Sequence, residues 1–407
     1  MSTFVIVGGS YAAVQAAVSA RQHGYDGRIV LLSAEKELPY HRPPLSKAFL
    51  NTDMPSSRLW LRSEAFYEQH QIDLELGQTV TRLDPAKQHV EFGQARLAYD
   101  HLLLATGARA MTLPWQTTPI EGVFSLRDLA DAQAIKEYLP KTKKAVVIGG
   151  GFIGLELASS LSSLGIDTIV VELSERLAGR VVSPFISEYL LHRHQQQGVR
   201  VCLNSQVVGV KHDKKVTAVV LADGQEIEAS LVVVGVGAKP NTELLAPFSQ
   251  ESVAQGIQVN AEAKTAIPAV WAAGDCALTS LNLGTQATWL RLESVNAANE
   301  LGKAAGAAIA GKSEPFVTAP WFWSDQFDLK IQMVGITLPT DTLVVRGDPE
   351  SKRFSVFHLR PTGEVGAVQS INRPAEHLLA RRLVNERQHI AAAVLQDESI
   401  NLKEVTA

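Results

Sequence analysis

The residues in this chain that could do chemistry begin with three glycines and an acid. "KAVVIGGGFIGLELASSLSSLG" (144–165) sets Gly149, Gly151 and Gly154 between an apolar run, 145–148, and a helical pattern of Leu155, Leu157, Ala158 and Leu161. A second apolar run, in "IDTIVVELSERL", ends in an acid, Glu172. Each part has a use in holding a dinucleotide. The first glycine makes a tight turn, the second lets backbone approach a pyrophosphate, and the third lets the helix pack close on its strand. The helix N-terminus offers unpaired amides and partial positive charge to the phosphates. The acid accepts hydrogen bonds from ribose hydroxyls and repels a 2′-phosphate. Glycine turns alone are common, but strand, turn, helix, strand and acid in this order predict a nucleotide-binding unit.

The same layout opens the chain. "FVIVGGSYAAVQAA" (4–17) runs from an apolar strand into Gly8, and "GRIVLLSAEKELPY" supplies a second strand followed by Glu35. Here Ser10 replaces the second glycine and Ala13 the third. Alanine is an accepted small substitute at that third position. Ser10 is the real departure: its side chain crowds a pyrophosphate, yet its hydroxyl could donate to one. Alone, this stretch fits a phosphate loop and a plain strand–helix turn equally. The intact second copy favours the loop, because chains with two such units commonly bind two dinucleotides.

"YDHLLLATGARAM" (99–111) and "ASLVVVGVGAKPN" (229–241) each read as a strand ending in a glycine turn. "PAVWAAGDCALTS" (268–280) is a strand followed by Gly274 and Asp275, an acid that serves either a local turn or a ligand hydroxyl. From about Pro320 the pattern changes to short strands and then a helix from about Ala375, a small α+β domain. The 407 residues are 46% hydrophobic, enough for several cores, and the net charge of −4 argues against general nucleic-acid binding. Cys202 and Cys276 are too few for a disulfide framework or a cysteine metal cage. No run approaches ~18 apolar residues and no basic leader precedes the first strand, which predicts a cytoplasmic protein. "HRH" at 192–194 is not a metal pair, since residues two apart on a helix do not share a face; no metal site is expected.

Taken together, the two units, "ATG" at 105–107, "GVGAKPN" and "AAGDCA" resemble the pyridine-nucleotide flavoprotein oxidoreductases of the glutathione-reductase fold. "LPYHRPPLSKAFL" (38–50) and "PWFWSDQFDLKIQMVG" (320–335) are similar to one branch, the putidaredoxin reductase-like ferredoxin reductases of bacterial oxygenase systems. The resemblance runs in order from residue 4 to about 375. It implies an α/β chain with two Rossmann-like domains and a small C-terminal α+β domain. The implied division is 1–112 with 242–319 for FAD, 113–241 for NAD, and 320–407 as an interface domain.

By position, the resemblance implies that Gly8, Ser10, Ala12 and Ala13 face the FAD pyrophosphate and that Glu35 holds the adenosine ribose. Many relatives carry that acid one residue earlier, where this chain has Ala34. Lys47, Val80, Arg127, Asp275 and Val295 match further FAD contacts. Gly149, Gly151, Phe152, Ile153, Gly154, Glu172, Arg180, Gly237 and Glu293 match contacts to the nicotinamide nucleotide. Lys47 and Glu156 match the pair that meets near flavin N5, where an ammonium offsets the negative charge a hydride brings. Trp323 matches a position at the flavin edge facing the electron acceptor; Trp321 is read equally as core. The early Cys-x4-Cys of disulfide reductases is missing, as is the single cysteine of peroxidase relatives, so electrons must pass directly from flavin to a partner. The implied activity is NADH oxidation with single-electron transfer to a small two-iron ferredoxin that feeds a mono-oxygenase or ring-hydroxylating dioxygenase. Arg62, Lys303 and Lys330 are candidate contacts for that ferredoxin. Two alternatives stay open: a reductase of small acceptors, of diaphorase or monodehydroascorbate type, and an NADH-responsive flavoprotein of the apoptosis-inducing-factor type.

Overall fold

The computed structural model describes residues 2–249, 253–282 and 287–405. Its internal contacts divide the chain into two compact units, Met1–His41 with Pro55–Arg109 and Lys239–Pro320, and Arg42–Met54 with Ala110–Ala238 and Trp321–Ala407.

The first unit is built on a five-stranded sheet in the order Val270–Ala272, His101–Leu104, Thr3–Val7, Arg28–Ser33, Ile72–Leu76. Every pairing in it is parallel. Parallel strands covered on both faces must be apolar throughout, and Phe4, Val5 and Ile6 are fully buried beside Ile29 and Leu31. Helix Tyr11–Gln22 follows the central strand and lies against helix Val295–Ile309. That packing is close because Gly302 and Gly306 lack side chains. A Cβ on Gly302 would lie 2.4 Å from the Ala12 carbonyl oxygen, and one on Gly306 2.2 Å from that of Ala16. Two glycines at helical spacing in an alanine-rich helix are a readable sign of such contact.

The second unit repeats the plan. Its parallel sheet runs Arg200–Cys202, Asp167–Val171, Lys144–Ile148, Leu231–Val234, Val123–Ser125. Helix Phe152–Ser163 follows the central strand. The C-terminal part adds a five-stranded antiparallel sheet, ordered Trp321–Gln326, Leu329–Gly335, Val365–Ile371, Arg353–Leu359, Thr342–Asp348, and then helix Pro374–Asn385. The short stretch Arg42–Met54, which carries Lys47, belongs to this unit by its contacts although it follows the first unit's opening segment. No helix among the described residues is long and apolar enough to cross a membrane.

Candidate functional site

The two glycine turns are built alike. Gly8 has φ +124° and Gly149 φ +109°, where a side chain would be strained. Each also abuts a neighbouring strand end: an added Cβ would lie 2.0 Å from the Ala105 carbonyl oxygen at Gly8, and 2.4 Å from that of Gly235 at Gly149. The copies differ at the third position. A Cβ on Gly154 would lie 2.1 Å from the Gly149 carbonyl oxygen, so this helix sits directly on its turn. Ala13 stands at the matching place in the first copy and is fully buried.

The helices after both turns start without a side-chain cap. Neither Ser10 nor Gly151 caps its helix, whereas Asp128, Ser183 and Ser294 each accept a backbone amide at the start of theirs. A Cβ on Gly151 would meet nothing within 4 Å. Open space at the start of an uncapped helix, as at Gly151, fits a pyrophosphate. Ser10 does not use its hydroxyl on its own helix, so the residue that departs from the fingerprint does not cap the helix start.

Around the second turn the expected nucleotide contacts come together. Glu172 Oε2 accepts the Gly150 amide at 2.6 Å and Oε1 accepts the Ser174 amide at 2.7 Å. The Arg180 guanidinium comes within 4.0 Å of where a Cβ on Gly237 would lie. Ile153 is exposed at the helix start, and Phe152 packs edge-on against Phe322 with ring centroids 5.2 Å apart.

In the first unit, Gly274 brings its strand end against the first dinucleotide helix, 3.3 Å from the Ala12 Cβ to where its own would lie. Asp275 follows directly, and Val295 opens the helix packed on that same face. Glu35 is bonded by the Tyr40 hydroxyl. Val80 lies in the hydrophobic core. Glu293 belongs to this unit and pairs with Arg291 at 2.5 Å. Arg127 belongs to the second unit, where its amide donates to Asp131 and its carbonyl accepts from Arg42. Burial pushes the Asp131 carboxyl up.

Lys47 and Glu156 do meet. Nζ lies 2.9 Å from Oε1, with the lysine half-buried and the glutamate buried. Two hydroxyls with no motif to mark them complete the carboxylate's shell: Ser324 Oγ donates to Oε1 at 2.6 Å and Ser46 Oγ to Oε2 at 2.5 Å. Trp323 lies on the same strand as Ser324, half-buried, its ring 5.8 Å from that of Trp321. His194 is buried and bonded to Gln326 at 2.9 Å, while His192 contacts Gln196; no cluster of three or more metal-ligating groups occurs among the described residues. Cys276 is buried, its thiol pushed up by burial and donating to the Leu104 carbonyl.

Two family models account for almost the whole of this architecture. "Pyridine nucleotide-disulphide oxidoreductase" matches residues 2–302 and "Reductase C-terminal" matches 321–406. The chain belongs to the pyridine nucleotide-disulphide oxidoreductases. Rhodocoxin reductase of Rhodococcus erythropolis is 38% identical over 98% of this chain and 93% of its own. Among solved structures, the ferredoxin reductase for the CYP199A2 system of Rhodopseudomonas palustris superposes with a TM-score of 0.95, at 36% identity over all of both chains. The covalent putidaredoxin reductase–putidaredoxin complex gives 0.95 at 35% identity, over 100% of this chain and 98% of that one. As a pyridine nucleotide-disulphide oxidoreductase the chain is an enzyme that uses FAD and NAD.

Proposed function

We propose that this chain oxidises NADH and passes electrons one at a time to a small two-iron ferredoxin, which feeds a mono-oxygenase or ring-hydroxylating dioxygenase. The observation that carries the reading is the match along both chains to a reductase solved in covalent complex with its ferredoxin. Bound FAD supplies the conversion a hydride carrier cannot make alone: it takes two electrons together and releases them singly.

The chain's own residues bind, orient and exclude water. The first cradle, from Gly8 to Ala13, holds the FAD pyrophosphate, with Glu35 on the ribose, and Val80, Arg127, Asp275 and Val295 are assigned to the remainder. The second, from Gly149 to Gly154, holds NADH, with Glu172 on its ribose and Arg180, Gly237 and Glu293 assigned to the remainder. Lys47 presents its ammonium toward the flavin ring, and Glu156 keeps that ammonium in place. Trp323 marks the side facing the acceptor. Cys276 does not suit a thiol relay, since it is sealed in the core. The three-part division by cofactor and a cytoplasmic location belong to the same proposal.

The test is anaerobic: NADH should bleach the bound flavin, and a two-iron ferredoxin should reoxidise it faster than a small quinone or dye does. If no two-iron ferredoxin outpaces the dye, the reading passes to a reductase of small acceptors.

A further inference from the structure

Glu156 is held by donors from two separate stretches of chain. Lys47 and Ser46 come from the turn that precedes helix Ala48–Asn51, and Ser324 comes from strand Trp321–Gln326. Ser46 is tied to the dinucleotide helix a second time, because its carbonyl accepts the Ser160 hydroxyl at 2.7 Å, one turn beyond Glu156. The strand is tied to that helix at two points, Phe322 against Phe152 and Ser324 on Glu156, and the turn just after it at a third, the Phe327 amide on Ser159 Oγ at 2.6 Å.

The protons in this cluster run in one direction. Gln326 Nε2 donates to Ser324 Oγ at 3.1 Å, so its Oε1 accepts from His194 Nε2 at 2.9 Å. Burial pushes His194 down, which keeps the ring a neutral single donor. Ser324 is fully buried and already accepts from Gln326, so its one proton goes to Glu156. The Ser46 hydroxyl has the Pro43 carbonyl as a second acceptor only at 3.4 Å, against 2.5 Å to the carboxylate. Both oxygens of Glu156 are thereby fixed before Lys47 is counted. A lysine on a flexible stem gains a defined position only from a partner that is itself fixed.

We propose that Ser324 is a positioning residue for the Lys47–Glu156 pair: with Ser46 it sets the orientation of the carboxylate, so that the strand carrying Trp321 and Trp323 determines where the ammonium is held. Its kinetic consequence rests on the function proposed above; its structural consequence does not. Misplacing a reacting or orienting group by about 1 Å costs up to ~100-fold in rate, so loss of one of two orienting hydroxyls should be visible.

The experiment pairs stopped-flow reduction by NADH with hydrogen–deuterium exchange, on the protein as purified with its flavin. Ser324→Ala should lower the limiting rate of flavin reduction by about five- to twenty-fold with little change in NADH affinity, and Ser46→Ala should do the same. In a Glu156→Gln background the added Ser324→Ala should change the rate less than about twofold, since the hydroxyl acts only through the carboxylate. Exchange supplies the readout that a local packing role would not move. The Leu45, Lys47 and Leu50 amides are bonded within or next to the 42–47 turn, and among the described residues the hydrogen bonds of Ser324 reach that turn through Glu156. Ser324→Ala should speed exchange there several-fold. Ser324→Cys, nearly the same size and a weak donor, should show a smaller shift in both readouts and serves if the alanine variant does not fold. Loosening confined to 321–327, with reduction rates within twofold of wild type for both serine variants, would overturn the proposal. A wild-type protein that NADH cannot reduce would instead overturn the proposed function, and the exchange arm would still decide the role of Ser324.

Discussion

The Glu172 carboxylate closes back on the turn its own strand follows, one oxygen on the Gly150 amide at 2.6 Å and the other on the Ser174 amide at 2.7 Å. The acid is thus fixed beside the phosphate cradle, where a 2′-phosphate would meet like charge. One base in the turn that follows, Arg176, is already committed, its guanidinium donating to the carbonyls of Val182 and Gly179 at 2.8 and 2.6 Å. NADH should therefore exceed NADPH in kcat/KM by at least about tenfold, a factor worth ~1.4 kcal/mol. Glu172→Ala should narrow that ratio and also loosen the turn. Equal efficiency with both coenzymes in the wild type would refute the assignment.

Lys47 and Glu156 should behave as one unit. Removing either leaves the other without its partner, so the second removal has little left to cost. The limiting rates of flavin reduction for Lys47→Ala, Glu156→Gln and the double variant decide this. The double variant should be about as slow as the slower single one; losses that multiply would mean the two residues act separately.

The first cradle should hold one FAD per chain, giving a yellow protein. Ser10 makes no side-chain bond to its own helix, so Ser10→Gly removes a hydroxymethyl group from the cradle and loses no cap; glycine at such a position costs only a few tenths of a kcal/mol. Flavin release on dilution should be no faster in the variant. A colourless wild type that FAD cannot reconstitute would show that Ser10 has closed the loop.

The sheets and turns were legible because their causes are local. A buried parallel strand must be apolar at every position, and a turn against a strand end admits only glycine, so 4–8 and 145–149 announce themselves. Lys47 and Glu156 were legible only through motif context, because nothing local pairs a lysine with an acid more than a hundred residues away. Ser46 and Ser324 were not legible at all. Their bonds to Glu156 span 110 and 168 residues, and serines in turns and strands are ordinary. One signal was present: in "WFWSDQ" Ser324 alternates with Trp321 and Trp323, which sets it on the opposite face of the strand. The assignment of Arg42–Met54 to the second unit had no such signal, since it depends on which core the segment packs against.

His377 predicts loss of stability in acid. It is buried against Trp321 with Arg381 over that ring, and neither ring nitrogen has a hydrogen-bond partner among the described residues. Burial first, and Arg381 second, push its pKa down to about 4 from 6.5. Between those values the unfolded chain binds the proton that the folded one refuses, so stability rises with pH across the window. The contribution is fully present above pH 6.5 and is lost as pH falls toward 4, by about 3 kcal/mol at most. His194 and His358, also pushed down by burial, act with the same sign. The thermal midpoint should be level above about pH 7 and fall below it, and His377→Leu should flatten that fall without abolishing it. An unchanged slope in the variant would show that His377 is protonated in the folded state.

Electron transfer to the ferredoxin should depend on salt while small-acceptor reduction does not. The chain is mildly negative, −4 overall, so attraction to an acidic partner must be local. The three candidate cations differ in what already holds them. Lys303 pairs with Glu314 at 3.1 Å, which offsets part of the charge it could offer a partner. Arg62 lies over the Phe66 ring at 5.2 Å, a contact that leaves the guanidinium charged, and Lys330 is exposed on strand Leu329–Gly335. Such steering acts on the association rate and fades as the Debye length shrinks to roughly 3 Å at 1 M salt. Ferredoxin reduction should therefore fall steeply with ionic strength while reduction of a neutral quinone stays level. Arg62→Glu and Lys330→Glu should each slow only the ferredoxin reaction, and Lys303→Glu should slow it less. Replacing Trp323 with alanine should lower the ferredoxin rate even at high salt, where steering is gone, because an aromatic at the acceptor face acts after encounter. Identical salt dependence for ferredoxin and quinone would remove the docking model and leave a reductase of small acceptors.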